Sequence, residues 1–427
     1  MQEGDPTQGH SSPSRSKTRA PRVVLAGCIA IALGVLLGGL HFAGRSGATP
    51  DSYSNDFNVY YHASREVLGG HGPYQHSLGD WTPYIYPPFL AELIIPLAVL
   101  PLRLAAYLWF LINAASVITA AWMSAALAIE YCEKLLSPGP RIGVAVCAVL
   151  IVFRFVLDNF NLGQVNPLVT ALVVAHIYLY VRENKGLSAL ALVAAISIKL
   201  TPALMLAYHL TRLRLKFSAI IVSLLAVITL ASFLALGSEA PDAFRTFVGR
   251  TLKNEQGYNL SDAGNQSLRG AVARLMTNAD RESALDQSGS RKLANEATLL
   301  LSALLLAAAI SSAARASSEL SAAAPFVCCM VLLSPLSWKA HFVLLILPLA
   351  NLLARMKTST RPWRSLIIAN LAAALALFNL TSPRVVGLPA AQWSDAHSLV
   401  FVGALLIFIV SVVDALMPKF GKQPHVC

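Results

Sequence analysis

Residues 216–237 read KFSAIIVSLLAVITLASFLALG, an apolar run with no charged residue after its first lysine. A helix needs about 20 such residues to cross the hydrocarbon core of a bilayer. Similar runs recur along the whole chain, and together they predict about 10–12 transmembrane helices. The other runs are 85–101, 103–129, 142–157, 166–181, 187–209, 298–315, 320–336, 340–354, 364–380 and 397–417.

The composition of the 427 residues agrees with a membrane location. Hydrophobic residues make up 56% of the chain and charged residues 13%, and the mean hydropathy is +0.59. Soluble proteins carry about 25% charged residues, so an ordinary soluble enzyme, a disordered chain and a disulfide-rich secreted scaffold are excluded. Neither strand alternation nor a fixed-period repeat is present. The sequence predicts an all-α, polytopic integral membrane protein.

The net charge of +11 comes from basic clusters that flank the apolar runs. Such clusters mark the cytoplasmic ends of membrane spans, and no basic domain with interleaved aromatics is present to bind nucleic acid. We therefore expect no nucleic-acid partner. The clusters are Arg15, Lys17, Arg19 and Arg22; Arg182 and Lys185; Arg212, Arg214 and Lys216; Arg355, Lys357, Arg361 and Arg364; and Lys419 and Lys422.

These clusters predict the organisation of the chain. With the basic ends inside, the places expected on the outer face are 43–84, 158–166, 238–296, 334–341 and 381–396. This topology requires an odd number of crossings in 85–129, where four prolines make one segment short or re-entrant. The expected regions are a disordered cytoplasmic tail (1–21), an N-terminal transmembrane module (22–237) that begins with the span Val23–Phe42, an outer loop (238–296), C-terminal helices (297–418) and a tail (419–427).

The first outer loop, 43–84, contains an acidic residue followed by aromatics. Asp56 precedes Tyr60, Tyr61 and His62, whose spacing predicts an amphipathic helix at the membrane interface. Asp56 is a candidate functional carboxylate, although an exposed loop acid or a helix N-cap would give the same pattern. Aromatic residues at this depth also serve as membrane anchors.

Amides are concentrated in the second outer segment, where Gln164 and Asn166 lie between two apolar helices. Buried amides without partners lose about 1–3 kcal/mol each, so they indicate either a hydrated turn or a ligand site for hydroxyl groups. Arg154 precedes Asp158 by four residues, a spacing that allows an ion pair on one helix face.

Lys199 is the least expected residue, because apolar residues surround it in Ile196-Ser197-Ile198-Lys199-Leu200. A lysine inside the membrane costs at least about 2.5–3.5 kcal/mol and usually faces a cavity or an anion. The alternative is a side chain that snorkels to the interface from a helix end near Pro202. A phosphate is the expected anion.

Two later segments carry further candidates. The second long outer loop contains Asn265, Gln266 and Arg269. The outer turn at 334–341 ends in Trp338, Lys339 and His341. Trp338 and Lys339 have the character of interface anchors, whereas His341 lies one turn into the next span.

The motifs in these segments occur in one order: Asp56 with the Tyr-Tyr pair, Gly-x-Pro-Tyr, Tyr-Pro-Pro-Phe, Gly-Gln-Val-Asn, Ile-Lys-Leu-Thr-Pro, Gly-Asn-Gln-Ser-Leu-Arg and Ser-Pro-Leu-Ser-Trp-Lys-Ala-His. From about residue 50 to 345 the chain resembles glycosyltransferase family 87 of the GT-C superfamily. That family includes mycobacterial mannosyltransferases that use polyprenyl-phosphate-mannose.

The resemblance implies a GT-C-type architecture and an inverting hexosyltransferase, with mannose the expected sugar. In the implied reaction Asp56 is the general base for an acceptor hydroxyl, and Lys199, Arg269 and His341 neutralise the leaving phosphate. Sugar hydroxyls would be held by Gln164, Asn166, Asn265 and Gln266. Tyr60, Tyr61 and Trp338 would supply stacking or lipid-facing surface.

The resemblance also implies the partners and the location. The donor is expected to be a polyprenyl-phosphate sugar and the acceptor a glycolipid or glycan, reached in the plasma membrane from its extracytoplasmic side. Many GT-C proteins have a second acid near the first, but Asn58 stands at that place here, so we expect no metal and no other cofactor. No glycine-rich phosphate loop is present, which argues against a nucleotide-sugar donor.

Two other functions fit the same composition. A transporter or flippase of lipid-linked sugars would also have broken helices, although the two halves show no repeat. A non-catalytic assembly factor would keep the fold without the chemistry.

Overall fold

The computed structural model describes residues 19–48, 55–75, 83–132, 138–252, 260–276 and 287–417. The predicted tail 419–427 and most of the predicted tail 1–21 lie outside these residues. Within them the chain is helical and contains no extended β-strand. The helices are α1 (Arg19–Ala48), α2 (Asp56–Leu68), α3 (Pro88–Ala98), α4 (Leu102–Cys132), α5 (Pro138–Ile151), α6 (Phe153–Leu162), α7 (Asn166–Val181), α8 (Lys185–Ile198), α9 (Leu204–Thr211), α10 (Leu215–Leu234), α11 (Ala240–Phe247), α12 (Leu268–Met276), α13 (Gln287–Arg315), α14 (Glu319–Leu332), α15 (Ile346–Thr358), α16 (Arg361–Leu375), α17 (Pro383–Ala396) and α18 (Leu399–Leu416).

Short 3₁₀ or π-helical turns extend several of these helices. Those at Thr201–Ala203, Gly237–Glu239 and Lys339–Leu345 are 3₁₀, and those at Val248–Leu252 and Ala376–Leu380 are π-helical.

Six helices of the described residues are long and apolar enough to cross a membrane, which confirms the prediction of an all-α polytopic membrane protein. The bent pair α5 and α6 would be a seventh span. Four further apolar helices (α3, α7, α8 and α14) are shorter. The predicted number of about 10–12 crossings is reached only if such short helices also cross. The six are Leu102–Glu130, Leu215–Leu234, Lys292–Arg315, Lys339–Thr358, Arg361–Leu380 and Leu399–Leu416.

The predicted first span lies within one continuous helix, α1. This helix packs against α4 through small residues. A Cβ atom at Gly38 would lie 2.9 Å from the Phe110 ring, and one at Gly39 would lie 2.8 Å from the Tyr107 ring. The two glycines therefore allow close approach between the first helix and the helix that supports the candidate site.

The segment 85–129 contains one short and one long helix. The 11 residues of α3 span about 16 Å at 1.5 Å per residue, roughly half the thickness of the hydrocarbon core. Pro88 starts α3 and Pro96 lies inside it, whereas α4 has 31 residues. The structure thus agrees with the expectation that one of the two segments is too short for a simple crossing.

A sharp break separates α5 from α6, which meet at an angle of 67°. The side chain of Asn379 bridges the break: its Nδ2 donates to the Ile151 carbonyl at 2.8 Å, and its Oδ1 accepts from the Arg154 amide at 3.2 Å. The guanidinium of Arg154 donates to Thr381 Oγ1 at 2.9 Å. Arg154 and Asp158 form no ion pair at contact distance in the described residues, although the charge of Arg154 still acts on the Asp158 carboxyl group.

The predicted inner ends of the helices meet at one end of the bundle. Ion pairs join residues of three basic clusters to acidic residues on neighbouring helices. They are Arg182–Glu130 at 2.6 Å, Arg214–Glu319 at 2.5 Å and Arg355–Asp414 at 2.7 Å.

The predicted outer segments also contact each other, through hydrogen bonds and one ion pair. Gln164 contacts Asp56, which joins the second outer segment to the first. Lys339 forms an ion pair with Asp395, and Gln266 donates to the Asp395 carbonyl at 2.9 Å. The described residues of three basic clusters thus make ion pairs in one group of contacts, and the outer-segment amides make another. Which side of the membrane each group faces stays a prediction.

Two loop boundaries differ from the sequence-based ones. The expected outer loop 238–296 contains α11 and α12, and α13 begins inside it at Gln287. The expected outer segment 381–396 is largely helical, because α17 occupies it with a kink at Gly387. Polar composition indicated a loop at 238–296, but short amphipathic helices have the same composition.

Candidate functional site

Asp56 is the first residue of α2, a helix that the aromatic spacing after it predicts correctly. The helix is capped by Asn55, whose side chain accepts a hydrogen bond from the Asn58 amide at 2.9 Å. Asp56 is therefore not the capping residue, and its half-buried carboxylate is available for other contacts. The amide of Gln164 donates to its Oδ2. No residue in the described ranges donates to Oδ1.

The loop that presents Gln164 depends on Gly163. This glycine ends α6 with φ of +63°, a conformation that other residues rarely adopt. Its carbonyl accepts a hydrogen bond from Trp109 Nε1 at 2.8 Å. A Cβ atom there would lie 2.7 Å from Phe42 and 2.9 Å from Phe57. Only glycine leaves enough room for α1, α2 and α6 to meet beside Asp56.

A chain of amides continues from Gln164. Asn166 Nδ2 donates to Gln164 Oε1 at 3.3 Å and to Asn159 Oδ1 at 3.1 Å. Asn159 is fully buried and donates to the carbonyls of Phe155 and Ala340, both at 2.7 Å. These bonds satisfy the buried amides and hold α6, α7 and the 3₁₀ turn at Lys339–Leu345 together.

Lys199 lies at the end of the amide chain. It caps the C-terminus of α8 in an extended conformation, and the 3₁₀ turn containing Pro202 follows it. Its Nζ donates to Asn166 Oδ1 at 2.7 Å and lies 2.9 Å from His341 Nε2. An ammonium has three N–H donors. One of them has no partner among the described residues.

The contact with Lys199 determines the protonation state and the tautomer of the His341 ring. Because an ammonium only donates, Nε2 of the ring must accept, and the proton of the neutral ring is on Nδ1. The ring also hydrogen-bonds the backbone of Leu336. Both nitrogens are thus occupied, so His341 holds the ammonium in place rather than presenting a second positive charge.

Burial raises the pKa of the Asp56 carboxyl to about 6, although the positive charge of Lys199 acts in the opposite direction. A carboxylate with this pKa is mostly ionised at neutral pH and is a stronger base than an exposed aspartate. The cluster Asp56, Gln164, Asn166, Lys199 and His341, which we call the Asp56 cluster, therefore combines a base, two amides and a cation.

Tyr60 and Tyr61 are packed against the protein. Tyr60 is fully buried, donates to Tyr86 Oη at 3.1 Å and lies edge-on to Trp109. Tyr61 donates to the Leu100 carbonyl at 2.8 Å. Both residues fix α2, and with it Asp56, to the neighbouring helices. A stacking role toward a sugar stays a prediction, and the observed contacts do not support it.

Asn265 and Gln266 lie apart from the Asp56 cluster in the hydrogen-bond network. Asn265 donates to the carbonyls of Leu260 and Pro335 and accepts from the amides of Ser267 and Ser337. These four bonds use its full capacity. Gln266 donates to the carbonyls of Ala263 and Asp395 and accepts from the Phe401 amide. Their contacts stabilise the loops, and a role in binding sugar stays a prediction.

Arg269 and Trp338 remain available for a ligand. Arg269 is half-buried and makes no hydrogen bond or ion pair with the described residues. Trp338 is also half-buried, and its ring covers Gly264, where a Cβ atom would lie 2.5 Å from it. Lys339 pairs with Asp395 instead of anchoring freely at an interface. Arg269 and Lys199, both among the described residues, share no hydrogen-bond partner.

Asn159 bonds to Asn166 of the Asp56 cluster, but it was not among the residues predicted from the sequence. It precedes Asn166 by seven residues in a stretch with four amides, and the composition of that stretch did not single it out. Within the described residues, no group of three or more His, Cys, Asp or Glu side chains occurs that could hold a metal ion. The neighbours of Asp56 are amides and an ammonium, and the expectation of a metal-free site stays a prediction.

Comparisons with known proteins give matches over most of this region. The model of glycosyltransferase family 87 matches residues 84–335, more than half of the chain. The matched range includes Gln164, Asn166 and Lys199, whereas Asp56 and His341 lie outside it.

The relatives are mycobacterial. The chain is 27% identical over 226 residues to a polyprenol-phosphate-mannose-dependent alpha-(1-2)-phosphatidylinositol pentamannoside mannosyltransferase of Mycobacterium tuberculosis, covering 52% of this chain and 50% of that protein. It is 29% identical over 322 residues to a polyprenol-phosphate-mannose-dependent alpha-(1-2)-phosphatidylinositol mannoside mannosyltransferase of the same species, covering 70% of this chain and 69% of that protein. A pentamannoside mannosyltransferase of Mycolicibacterium smegmatis is 26% identical over 228 residues, or 52% of each chain.

The chain spans about half the length of the first of these relatives. The family match and the motifs agree in order and position, from the tyrosine-proline segment at residue 84 to the serine-proline turn at residue 335. The chain belongs to glycosyltransferase family 87.

Proposed function

We propose that this protein is a membrane hexosyltransferase that moves mannose from a polyprenyl-phosphate donor to a hydroxyl group of a lipid or glycan acceptor. The observation that carries the proposal is the hydrogen-bonded chain from the Asp56 carboxylate through Gln164 and Asn166 to the Lys199 ammonium. Transfer from a phosphate ester needs a base and an anion-stabilising cation at opposite sides of one sugar carbon. The Asp56 cluster supplies both.

Asp56 acts as the general base in this reaction. Its Oδ2 is held by Gln164, which leaves Oδ1 to accept the proton of the acceptor hydroxyl as that oxygen attacks the anomeric carbon. The bond from the anomeric carbon to the phosphate oxygen breaks on the opposite side, so the configuration inverts. Proton transfer to a positioned base contributes about 10²–10⁴-fold to the rate.

Lys199 stabilises the phosphate that leaves. Two of its donors are fixed by Asn166 and His341, which leaves the third N–H to donate to a phosphate oxygen. A cation that is already in place, in surroundings of low dielectric constant, stabilises developing charge without reorganisation. Arg269 is a second candidate for this contact, because no described residue neutralises it.

Both substrates are lipid-linked in this proposal. The relatives are named for a polyprenol-phosphate-mannose donor and for phosphatidylinositol mannoside acceptors, and those compounds are the first to test. We place the protein in the plasma membrane with the Asp56 cluster on the extracytoplasmic side, because the basic clusters lie at the other end of the bundle.

The test uses the full chain reconstituted in liposomes with radiolabelled polyprenyl-phosphate-mannose and phosphatidylinositol mannosides. We expect label to enter a product that survives mild acid, since a glycosidic bond resists conditions that cleave a prenyl-phosphate sugar. Asp56→Asn should lower the rate about 10²–10⁴-fold. Lys199→Met should lower it about 10²–10³-fold.

The matched control is Asp242→Asn. Asp242 is an exposed acid in α11 that pairs with Arg245, far along the chain from the Asp56 cluster, so this variant should keep full activity. If Asp56→Asn transferred sugar as fast as the control variant, the assignment of the base would be wrong. If the unaltered chain moved labelled lipid between leaflets without forming an acid-stable product, the protein would be a flippase.

A further inference from the structure

The first half of α17 is exposed on every side and mostly apolar. Residues 383–390 read PRVVGLPA, and all eight are exposed to the surroundings of the protein. Val385 is 59% exposed and Leu388 is 61% exposed. No described residue covers these side chains. A contiguous apolar surface of this kind is unstable in water and marks a contact with a partner or a membrane.

Chain connectivity places this segment at the membrane boundary. It lies between two candidate spans, Arg361–Leu380 and Leu399–Leu416. The segment cannot leave the end of the bundle at which both spans terminate, because only a short stretch of chain joins it to each of them. Its position is therefore fixed along the membrane normal.

The second half of α17 is held by the protein. Asp395 pairs with Lys339, and its carbonyl accepts from Gln266 at 2.9 Å. Just beyond the helix, Arg274 donates to Ser398 Oγ at 2.7 Å. Since Lys339 is two residues from His341, these contacts also put the segment at the same end of the bundle as the Asp56 cluster.

The backbone of the segment limits how deep it can lie. Gly387 has φ of 77° and ψ of 166°, which breaks the helix, and Pro389 follows it. A broken backbone has polar groups that the hydrocarbon core cannot satisfy. At the level of the headgroups, water and lipid oxygens can satisfy them. Apolar side chains favour the membrane and the broken backbone excludes its centre, so the depth is intermediate.

The polar and aromatic residues of α17 suit this depth. Arg384 is exposed and has an apolar stem that allows its guanidinium to reach lipid phosphates. Trp393 is 58% exposed and stacks on His397 with ring centroids 4.1 Å apart. Tryptophan is enriched at membrane–water interfaces.

We propose that residues 383–390 form a lipid-contact segment that lies in the interfacial region of the bilayer, at the end of the bundle that contains the Asp56 cluster. The occupant of this surface is the bilayer itself. Segments of this kind bury their apolar side about 5–10 Å into the boundary between headgroups and acyl chains. The proposal requires only that the flanking helices cross the membrane, and it does not depend on the proposed enzymatic activity.

The test measures depth by fluorescence quenching in the full chain reconstituted in liposomes. An environment-sensitive fluorescent amino acid replaces Leu388 in one protein, Val227 of α10 in a second and Glu183 of the α7–α8 turn in a third. Each is measured with lipids that carry a quencher near the headgroup, with lipids that carry it at the chain end, and with aqueous iodide.

The three positions should respond differently. The probe at Val227, in the middle of a candidate span, should be quenched most by chain-end lipids, and the probe at Glu183 most by iodide. The probe at Leu388 should be quenched most by headgroup-level lipids and several-fold less by iodide than the probe at Glu183. The substitution Val386→Asp beside this probe should increase its quenching by iodide, because the segment then moves toward water.

Three results would overturn the proposal. Dominant quenching by iodide at Leu388 would show that the segment lies in water. Dominant quenching by chain-end lipids would place it in the hydrocarbon core. Protection from all lipid quenchers by a soluble mannose oligosaccharide would identify the surface as a glycan-binding one. None of these results depends on catalytic turnover, so each is distinct from a failure of the proposed function.

Discussion

At the scale of single residues, the Asp56 cluster shows how a membrane protein keeps a carboxylate and an ammonium close together without pairing them directly. Gln164 and Asn166 stand between the two groups, and each amide donates at one end and accepts at the other. In the proposed reaction one oxygen of Asp56 takes a proton, and a direct ion pair would compete for that oxygen. The two amides leave Oδ1 without a described donor and still bond to both charged groups.

The acid limb of the pH–rate profile should report Asp56. The carboxylate must be ionised to act as a base, so the rate should fall as the pH drops through about 6, the pKa of Asp56. Lys199 lowers this pKa, and the residual activity of Lys199→Met should therefore have its acid limb at higher pH. Asp242→Asn should leave the limb unchanged. A limb that stays in place without Lys199 would mean that another group titrates.

His341 should behave as a positioning residue. In His341→Leu the ammonium of Lys199 loses one of its two described acceptors, and we expect kcat to fall by about tenfold or more, as for a small misplacement of a catalytic group. His341→Asn keeps an oxygen acceptor and should recover much of kcat. The measurement is kcat and KM for donor with both variants. Equal losses in the two variants would contradict the role.

Asn265 should matter for stability. Asn265→Leu leaves buried main-chain groups of the 260–270 loop and the Ser337 turn without partners, at about 1–3 kcal/mol for each group. We expect a lower midpoint of thermal unfolding in detergent, while Gln392→Leu, at an exposed position, should have no such effect. A variant that kept its thermal stability but raised the KM for donor would instead support the sugar-binding role implied by the family.

At the scale of secondary-structure elements, the break between α5 and α6 determines the direction of α6. Two main-chain groups at the break bond to the side chain of Asn379. This is how irregular backbone persists inside a helical membrane protein: another helix supplies the missing partners. The direction of α6 in turn places Asn159 beside Asn166 and Gln164 beside Asp56.

Asn379→Leu should therefore act at a distance. Loss of both bonds at the break is expected to cost about 1–3 kcal/mol per unsatisfied group and to let α6 straighten. We expect lower thermal stability together with a lower kcat, since Asn159 belongs to α6. Thermal unfolding and donor turnover measure the two effects, with Gln392→Leu as the control. Reduced stability with normal kcat would show that the break does not position the site.

Sequence patterns predicted the elements unevenly, for physical reasons. The long apolar runs predicted α4, α10 and α18 correctly, because length and hydropathy are sufficient evidence for a span. The same criteria placed α5 and α6 in one continuous segment, since nothing in their composition marks a break that Asn379 stabilises from elsewhere in the chain. They also left residues 381–396 outside the spans, because this stretch lies between two apolar runs, and α17 occupies it.

For the candidate site, the useful signal in the sequence was a charged residue surrounded by apolar residues. Lys199 stood out because an ammonium among apolar residues must have a partner, and it is bonded to Asn166 and His341. Asn265 and Gln266 became candidates through a family motif in a polar loop, but main-chain groups satisfy them. Sequence alone cannot distinguish a buried amide that binds ligand from one that binds backbone, because the two have the same local pattern.

At the scale of the whole molecule, the charges are sorted between two ends of a helical bundle. One end carries ion pairs between basic clusters and acids such as Glu319, and the other carries the Asp56 cluster. Because lysine and arginine favour cytoplasmic loops, this sorting predicts the orientation of the protein in the membrane. In the proposed function, that orientation gives the Asp56 cluster access to lipid-linked substrates from one face.

The orientation can be measured with two cysteine variants, His71→Cys and Lys185→Cys, at exposed positions near the two ends. A membrane-impermeant maleimide should label His71→Cys in intact cells, and Lys185→Cys only after lysis. The unsubstituted chain provides the background from native cysteines such as Cys147. The opposite pattern would place the Asp56 cluster in the cytoplasm and would exclude an extracytoplasmic reaction.

The tight contact at Gly163 has a consequence for how the protein can be altered. At this point α1, the helix α2 that begins with Asp56 and the loop that supports Gln164 touch with no space for even a methyl group. An alanine there would have to displace Phe42 of α1 or Phe57 of α2, and either displacement would tilt the helix concerned. The position of α1 and the position of Asp56 are thus coupled through the space that one hydrogen atom of Gly163 occupies, and neither can change there without disturbing the other.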